Sequence, residues 1–264
     1  DLTAYRAIIR EPIRGTYRGE YEIISMPPPS SGGITMTMMF NILEGYDLKV
    51  LGHNSSRSLH LIAESMRRAY GDRAKYLGDQ DFVEIPVQRL TSKEHAAKHR
   101  ATINPYKATK SEDVGPELTM AQESAETTHY SVVDQWGNGV SNTYTLEGGY
   151  GSHIVITGTG FLTNNEMSDF NKVPGVTLNT GQIGTPANLI EPEKRMLSSM
   201  TPSIVTKNGN LYLVVGSPGG RTIINTTMQI IMNVIDHGMT IQEAVDAPRV
   251  HHQWFPDYLR IEGR

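Results

Sequence analysis

At residues 126–128 the chain reads Glu-Thr-Thr, a hydroxyl residue placed where a polar stretch gives way to a β-prone one. Cutting the Glu126–Thr127 bond would leave a free α-amine beside the Oγ of Thr127. Such an amine has an unperturbed pKa of about 7.7–8. It can take the hydroxyl proton without a separate histidine, so one residue serves as both base and nucleophile. Two threonines that merely open a strand fit the same letters. Gly219-Gly220 follows a β-prone run and precedes a helical one. Its N–H groups suit an oxyanion, and a tight turn needing positive φ would use the same residues. Glu166 and Asp169 stand three apart in NNEMSDF. They suit a cationic group such as an α-ammonium, or a solvated turn. Ser198 and Ser199 sit between methionines in MLSSMTP. Buried hydroxyls need partners, and either local capping or a ligand carboxylate would serve. His251-His252 suggests a metal, but adjacent side chains point apart on a helix or a strand and no third ligand is suitably spaced. No metal is expected, and with only Gly-Thr-Gly at 158–160 in place of a dinucleotide fingerprint, no cofactor.

The elements that must hold these residues follow from periodicity. SMPPPSSGG at 25–33 reads as a rigid turn-rich loop. Ile34, Met38, Met39, Ile42 and Leu43 recur at helical spacing, as do Leu59, Ile62, Ala63, Met66 and Tyr70 behind the N-cap candidates Ser55 and Ser56. A polar helix is expected over about 92–102, and an exposed, flexible linker over 104–126. HYSVVD, a turn at 136–139 and VSNTYTL predict one hairpin; SIVTK, Asn208-Gly209 and NLYLVVG predict a second. Ile224, Met228, Ile231, Met232 and Ile235 mark a long buried helix, and Thr240 with Glu243 form a capping box for a last one. Helices, then hairpins, then helices indicate a layered fold with a largely antiparallel sheet.

The chain has 264 residues, 38% hydrophobic and 20% charged, with formal net charge -4 and no cysteine. Disulfides, thiolate metal sites and a cysteine nucleophile are excluded. Scattered Lys and Arg give no nucleic-acid stripe, and no apolar run reaches the roughly 18 residues of a membrane span. Sequons stand at Asn54 and Asn225.

PPPSSGG, TTHYSVVD, GFLTNNEMSDF, KRMLSSMTPSIV, VVGSPGG and APRVHHQW occur here in one order. Together they resemble the gamma-glutamyltranspeptidase family of N-terminal nucleophile hydrolases along the whole chain. The resemblance implies an α+β fold, a partial αββα four-layer sandwich. It implies a precursor that cuts itself into two subunits that stay together as a heterodimer: 1–126 would end the large subunit and 127–264 would begin the small one. Thr127 would be the nucleophile, Thr145 its hydrogen-bonding neighbour, and Gly219 and Gly220 the oxyanion hole. Glu166 and Asp169 would bind a substrate α-ammonium, and Ser198 and Ser199 its α-carboxylate. The implied reaction moves the γ-glutamyl group of glutathione and related amides to water, an amino acid or a short peptide; the implied location is periplasmic or secreted. Three departures stand out. Glu147 replaces an Asn that helps hold the glutamyl headgroup. Thr180 replaces a Tyr of the lid, Pro174–Thr185. The family's carboxylate-clamping arginine falls ahead of Asp1. A related acylase or poly-γ-glutamate depolymerase with the same Thr127, and an uncut inactive chain, are the alternative expectations.

Overall fold

A computed structural model describes residues 3–115, 127–180 and 183–263. In chain order the elements are β1 (Ile13–Tyr17), β2 (Tyr21–Ser25), α1 (Gly32–Leu43), α2 (Leu48–Leu51), α3 (Ser56–Tyr76), α4 (Val87–Leu90), α5 (Lys93–Ala101), β3 (Thr128–Val133), β4 (Gly139–Tyr144), β5 (Ser203–Lys207), β6 (Asn210–Val215), α6 (Thr222–His237), α7 (Ile241–Asp246), β7 (Val250–His251) and β8 (Arg260–Ile261). Short 3₁₀ turns occupy Ser111–Asp113, Glu166–Asp169 and Pro186–Asn188.

The main sheet is antiparallel, in the order β1-β2-β5-β6. Its central pairing joins the two halves of the chain, from Tyr21 opposite Lys207 to Ser25 opposite Ser203. α1 is buried along its whole length, as an all-round apolar helix must be. It packs on β1 and β2 and is covered by α3, α5 and α6. One core runs through both halves: Tyr17, Ile34, Met38 and Met66 meet Val205, Ile224, Met228 and Trp254. Each such side chain contributes roughly 1.5–3 kcal/mol by burial. The second sheet, β3–β4, stacks on β5–β6. Ser141 fastens it: its hydroxyl donates to the Val215 carbonyl at 3.0 Å and accepts the Ser203 N–H at 2.9 Å. The described residues thus form a helix layer and two sheet layers of an α+β fold. Tyr130, Val132, Val133 and Tyr144 of the outer hairpin remain exposed.

Helix starts follow their caps. Ser55 and Ser92 accept N–H bonds from Ser58 and His95, and Thr240 with Glu243 closes a full capping box. The expected linker over 104–126 is mostly exposed in its described part, but it is docked at one point. Ser111 is fully buried. Thr109 donates its N–H and hydroxyl to the Glu64 carboxylate at 3.0 and 2.6 Å. Ser111 donates its N–H to Asp257 at 2.9 Å, and the Trp254 indole N–H donates to the Ser111 carbonyl at 2.8 Å. Polar composition suggests solvent, but these polar groups find buried charged partners from distant elements. Residues 116–126, including Glu126, lie outside the described residues, as do Gly181 and Gln182 of the expected lid.

Candidate active site

A solvent-open cleft gathers Thr127, Thr145, Glu147, Asp169, Ser198, Ser199 and Gly220. Local pairing explains the first two. Thr128 stands opposite Tyr144 in the hairpin, so the next rung sets 127 against 145 at its open end. The Thr145 hydroxyl accepts the Glu147 N–H at 2.8 Å. Glu147 holds φ +72°, a left-handed conformation that Asn tolerates better than Glu. Its carboxylate accepts an Asn165 side-chain N–H at 2.5 Å, which keeps the charge at the cleft wall.

The serines are held by the proline-rich loop. Ser31 donates its N–H and hydroxyl to the Ser198 carbonyl at 2.8 and 2.7 Å, and Ser198 returns its N–H to the Pro29 carbonyl at 3.0 Å. Ser30 donates to the Met200 carbonyl at 2.6 Å. Gly32 permits this closeness: a Cβ there would sit 2.5 Å from the Met200 carbonyl oxygen. The Ser198 hydroxyl accepts the Met200 N–H at 3.0 Å. The Ser199 hydroxyl accepts from the Arg73 guanidinium at 2.9 Å, and Arg73 also donates to Ser31 at 2.9 Å. Arg73 lines the cleft from α3, with Arg221 and Lys172. The sequence analysis did not single out Arg73; its signal was a basic residue three positions on from Tyr70, on the same face of a helix.

Gly219 and Gly220 have φ +124° and +56° and lead into α6. The positive φ supports the turn reading, while Gly220 on the cleft wall at a helix N-terminus keeps the anion reading open. Asp169 lines the cleft, whereas Glu166 lies behind it, only 9% exposed. Neither Glu166 carboxylate oxygen meets a hydrogen-bond partner of normal geometry among the described residues. Burial raises its carboxyl from 4.5 to about 7, and the charges of Asp169 and Glu147 add to the effect. Between those pH values the folded protein keeps a proton that the unfolded chain has lost, so stability falls as pH rises. The expected decline is roughly 3 kcal/mol between about pH 4.5 and 7. Urea unfolding at stepped pH should show it, and Glu166→Gln should flatten it; an unchanged slope in the variant would place the titration elsewhere.

The described part of the segment expected as a lid is tied down near its ends. Gly175 donates to the Gly184 carbonyl at 2.8 Å, Gly184 donates to the Thr177 hydroxyl at 3.0 Å, and Thr185 donates to the Ala74 carbonyl. Ile183 lines the cleft, while half-buried Thr180 is outside its described lining. His251 and His252 do not converge. His251 bonds Asn225 and Gln253; His252 bonds Arg67 and Asp257. Burial lowers both rings to about 4, so they are neutral near pH 7. Asn225 itself is buried under His251 and His252, which leaves no room for a glycan in the folded chain.

The Gamma-glutamyltranspeptidase family model matches residues 1–264. The glutathione hydrolase proenzyme of Escherichia coli K12 is 50% identical over 262 residues, 99% of this chain and 45% of that protein. The acylase ACY 1 proenzyme of Pseudomonas sp. SE83 is 46% identical over 250 residues, 95% of this chain and 42% of that protein. Among solved structures, the cephalosporin acylase of Bacillus halodurans superposes with TM-score 0.76 at 28% identity, covering 95% of this chain and 42% of that one. The chain therefore spans less than half the length of the curated relatives it matches.

Proposed function

The chain belongs to the gamma-glutamyltranspeptidase family, and from that premise we propose that Thr127 is the nucleophile of a γ-glutamyl hydrolase and transferase. One observation carries the reading: both carboxylates and carboxylate-binding groups flank the cleft that holds Thr127. A glutamyl headgroup bears an α-ammonium and an α-carboxylate on one carbon. Asp169 and Glu147 suit the first; Ser198, Ser199 and Arg73 suit the second. Seating both charges aligns the γ-carbonyl with Oγ, and orientation of this kind can supply several kcal/mol of the barrier.

In the proposed mechanism, Oγ of Thr127 first attacks the carbonyl of Glu126, and water opens the resulting ester. The freed α-amine then takes the hydroxyl proton as Oγ attacks the γ-amide. The oxyanion meets N–H groups at Gly219 and Gly220. Collapse expels the amine, which leaves with the transferred proton. Water releases glutamate from the ester, or an amino acid or short peptide takes the γ-glutamyl group. The β2–β5 pairing across position 127 supports a cut product whose halves stay joined.

The test compares a γ-glutamyl anilide with the matching glutaryl anilide on the full-length precursor after processing. The glutaryl group lacks the ammonium that Asp169 and Glu147 would attract. Its kcat/KM should be at least about tenfold lower. Equal or better use of the glutaryl amide would favour the acylase reading, which the acylase relative and the carboxylate of Glu147 keep open. Arg73→Lys should raise donor KM by about 5- to 100-fold, because a point charge cannot bond Ser31 and Ser199 together. Initial-rate measurements check this, and an unchanged KM would remove Arg73 from headgroup binding.

A further inference from the structure

His95 and His99 stand one turn apart on α5 and face Asp72 of α3. Both Nε2 atoms converge on one carboxylate oxygen of Asp72, at 2.6 and 2.9 Å, and lie 3.1 Å from each other. Protons alone satisfy this triangle poorly. Two N–H donors aimed at the same oxygen crowd their hydrogens, and any other assignment leaves a ring lone pair facing its neighbour. A cation removes the conflict by accepting a lone pair from all three atoms.

We propose that Asp72, His95 and His99 bind a divalent transition-metal ion of the zinc class. A tetrahedral ion with bonds of about 2.0–2.1 Å holds its ligands about 3.3–3.4 Å apart. The three observed edges would open by about 0.2–0.8 Å, most at the His95–Asp72 edge. Two imidazoles and one carboxylate suit Zn²⁺, Co²⁺ or Ni²⁺ and not Mg²⁺ or Ca²⁺, which take oxygen ligands. The side chains are 13–18% exposed, so an ion can enter and water can fill the fourth position. Helical i,i+4 spacing fixes the two rings on one face, and the Ser92 cap fixes the start of α5. None of the three residues lines the Thr127 cleft. The ion would instead fasten α5 to α3, at the residue next to Arg73.

Chelator-treated chain titrated with Co²⁺ should develop the visible absorption of a tetrahedral site at one ion per chain, and Zn²⁺ should displace it. Zn²⁺ should also raise the melting temperature by several degrees. Asp72→Asn and His99→Gln, checked for native circular dichroism, should each weaken binding at least about tenfold. If either variant fails to fold, the other and His95→Gln carry the comparison. Absence of the Co²⁺ band, or binding that survives all three substitutions unchanged, overturns the proposal.

Discussion

Thr127→Ala in the full-length precursor is expected to leave the chain uncut at position 127 and to lower amide hydrolysis by about 10⁴- to 10⁶-fold, the scale on which removal of a catalytic nucleophile is felt. On the proposed mechanism the two losses would have one cause: the same oxygen attacks first its own backbone and then the substrate. They separate in a protein assembled from two chains, the second beginning at residue 127. There the cut is already made, so an Ala at its start should still abolish hydrolysis. Thr127→Ser keeps a hydroxyl and should retain part of both activities. Mass spectrometry of the product and release of anilide are the readouts. Processing ahead of residue 127, or turnover near wild type, in the alanine variant would end the assignment.

Glu64→Gln is expected to destabilise the chain by about 3–5 kcal/mol, because it removes the carboxylate that buried Arg68 pairs with and leaves Arg67 only the partly exposed Asp257. The Glu64 side chain is fully buried, and it bridges Arg67 and Arg68, whose side chains are 7% and 1% exposed. Burial alone would raise its carboxyl. Hydrogen bonds from Thr109 and Arg68 and the charge of Arg67 more than reverse this and hold it below its usual range. Its stabilisation is therefore complete at neutral pH and is lost as pH falls through the lowered value. Urea unfolding at pH 7 measures the effect. A loss below about 1 kcal/mol would mean that water reaches the cluster and screens it, as at a surface pair. The same variant should loosen Thr109, which Glu64 holds, while Asp257 and Trp254 still hold Ser111.

Local signals carried much of this architecture. The helical period of Ile34 to Leu43, the Asn208-Gly209 turn with φ +51° and +80°, and the Thr240–Glu243 box each concern neighbours in sequence, and each stands where expected. Gathering Thr127, Thr145, Asp169, Ser198 and Ser199 needed the long ordered motifs, since no spacing rule joins residues on four separate segments. Ile13–Tyr17 and Tyr21–Ser25 were not foreseen as strands. β2 takes its second partner from β5, far along the chain, and a five-residue run announces no such pairing. The docked 109–115 segment escaped for the same reason: its polar residues suggest solvent until Glu64, Trp254 and Asp257 are known to surround them. His95 and His99 were legible as an i,i+4 pair, but Asp72 comes from another helix.

The strand order β1-β2-β5-β6 makes the polypeptide connection a tool of assembly rather than of endurance. Made separately, the two sides of position 127 would each carry a bare row of amides and carbonyls, β2 on one and β5 on the other, and such rows invite promiscuous pairing. A cut at 127, if made, would therefore belong after folding. A nicked molecule would come apart at a rate independent of its concentration, yet renature from denaturant as a second-order reaction that slows on dilution.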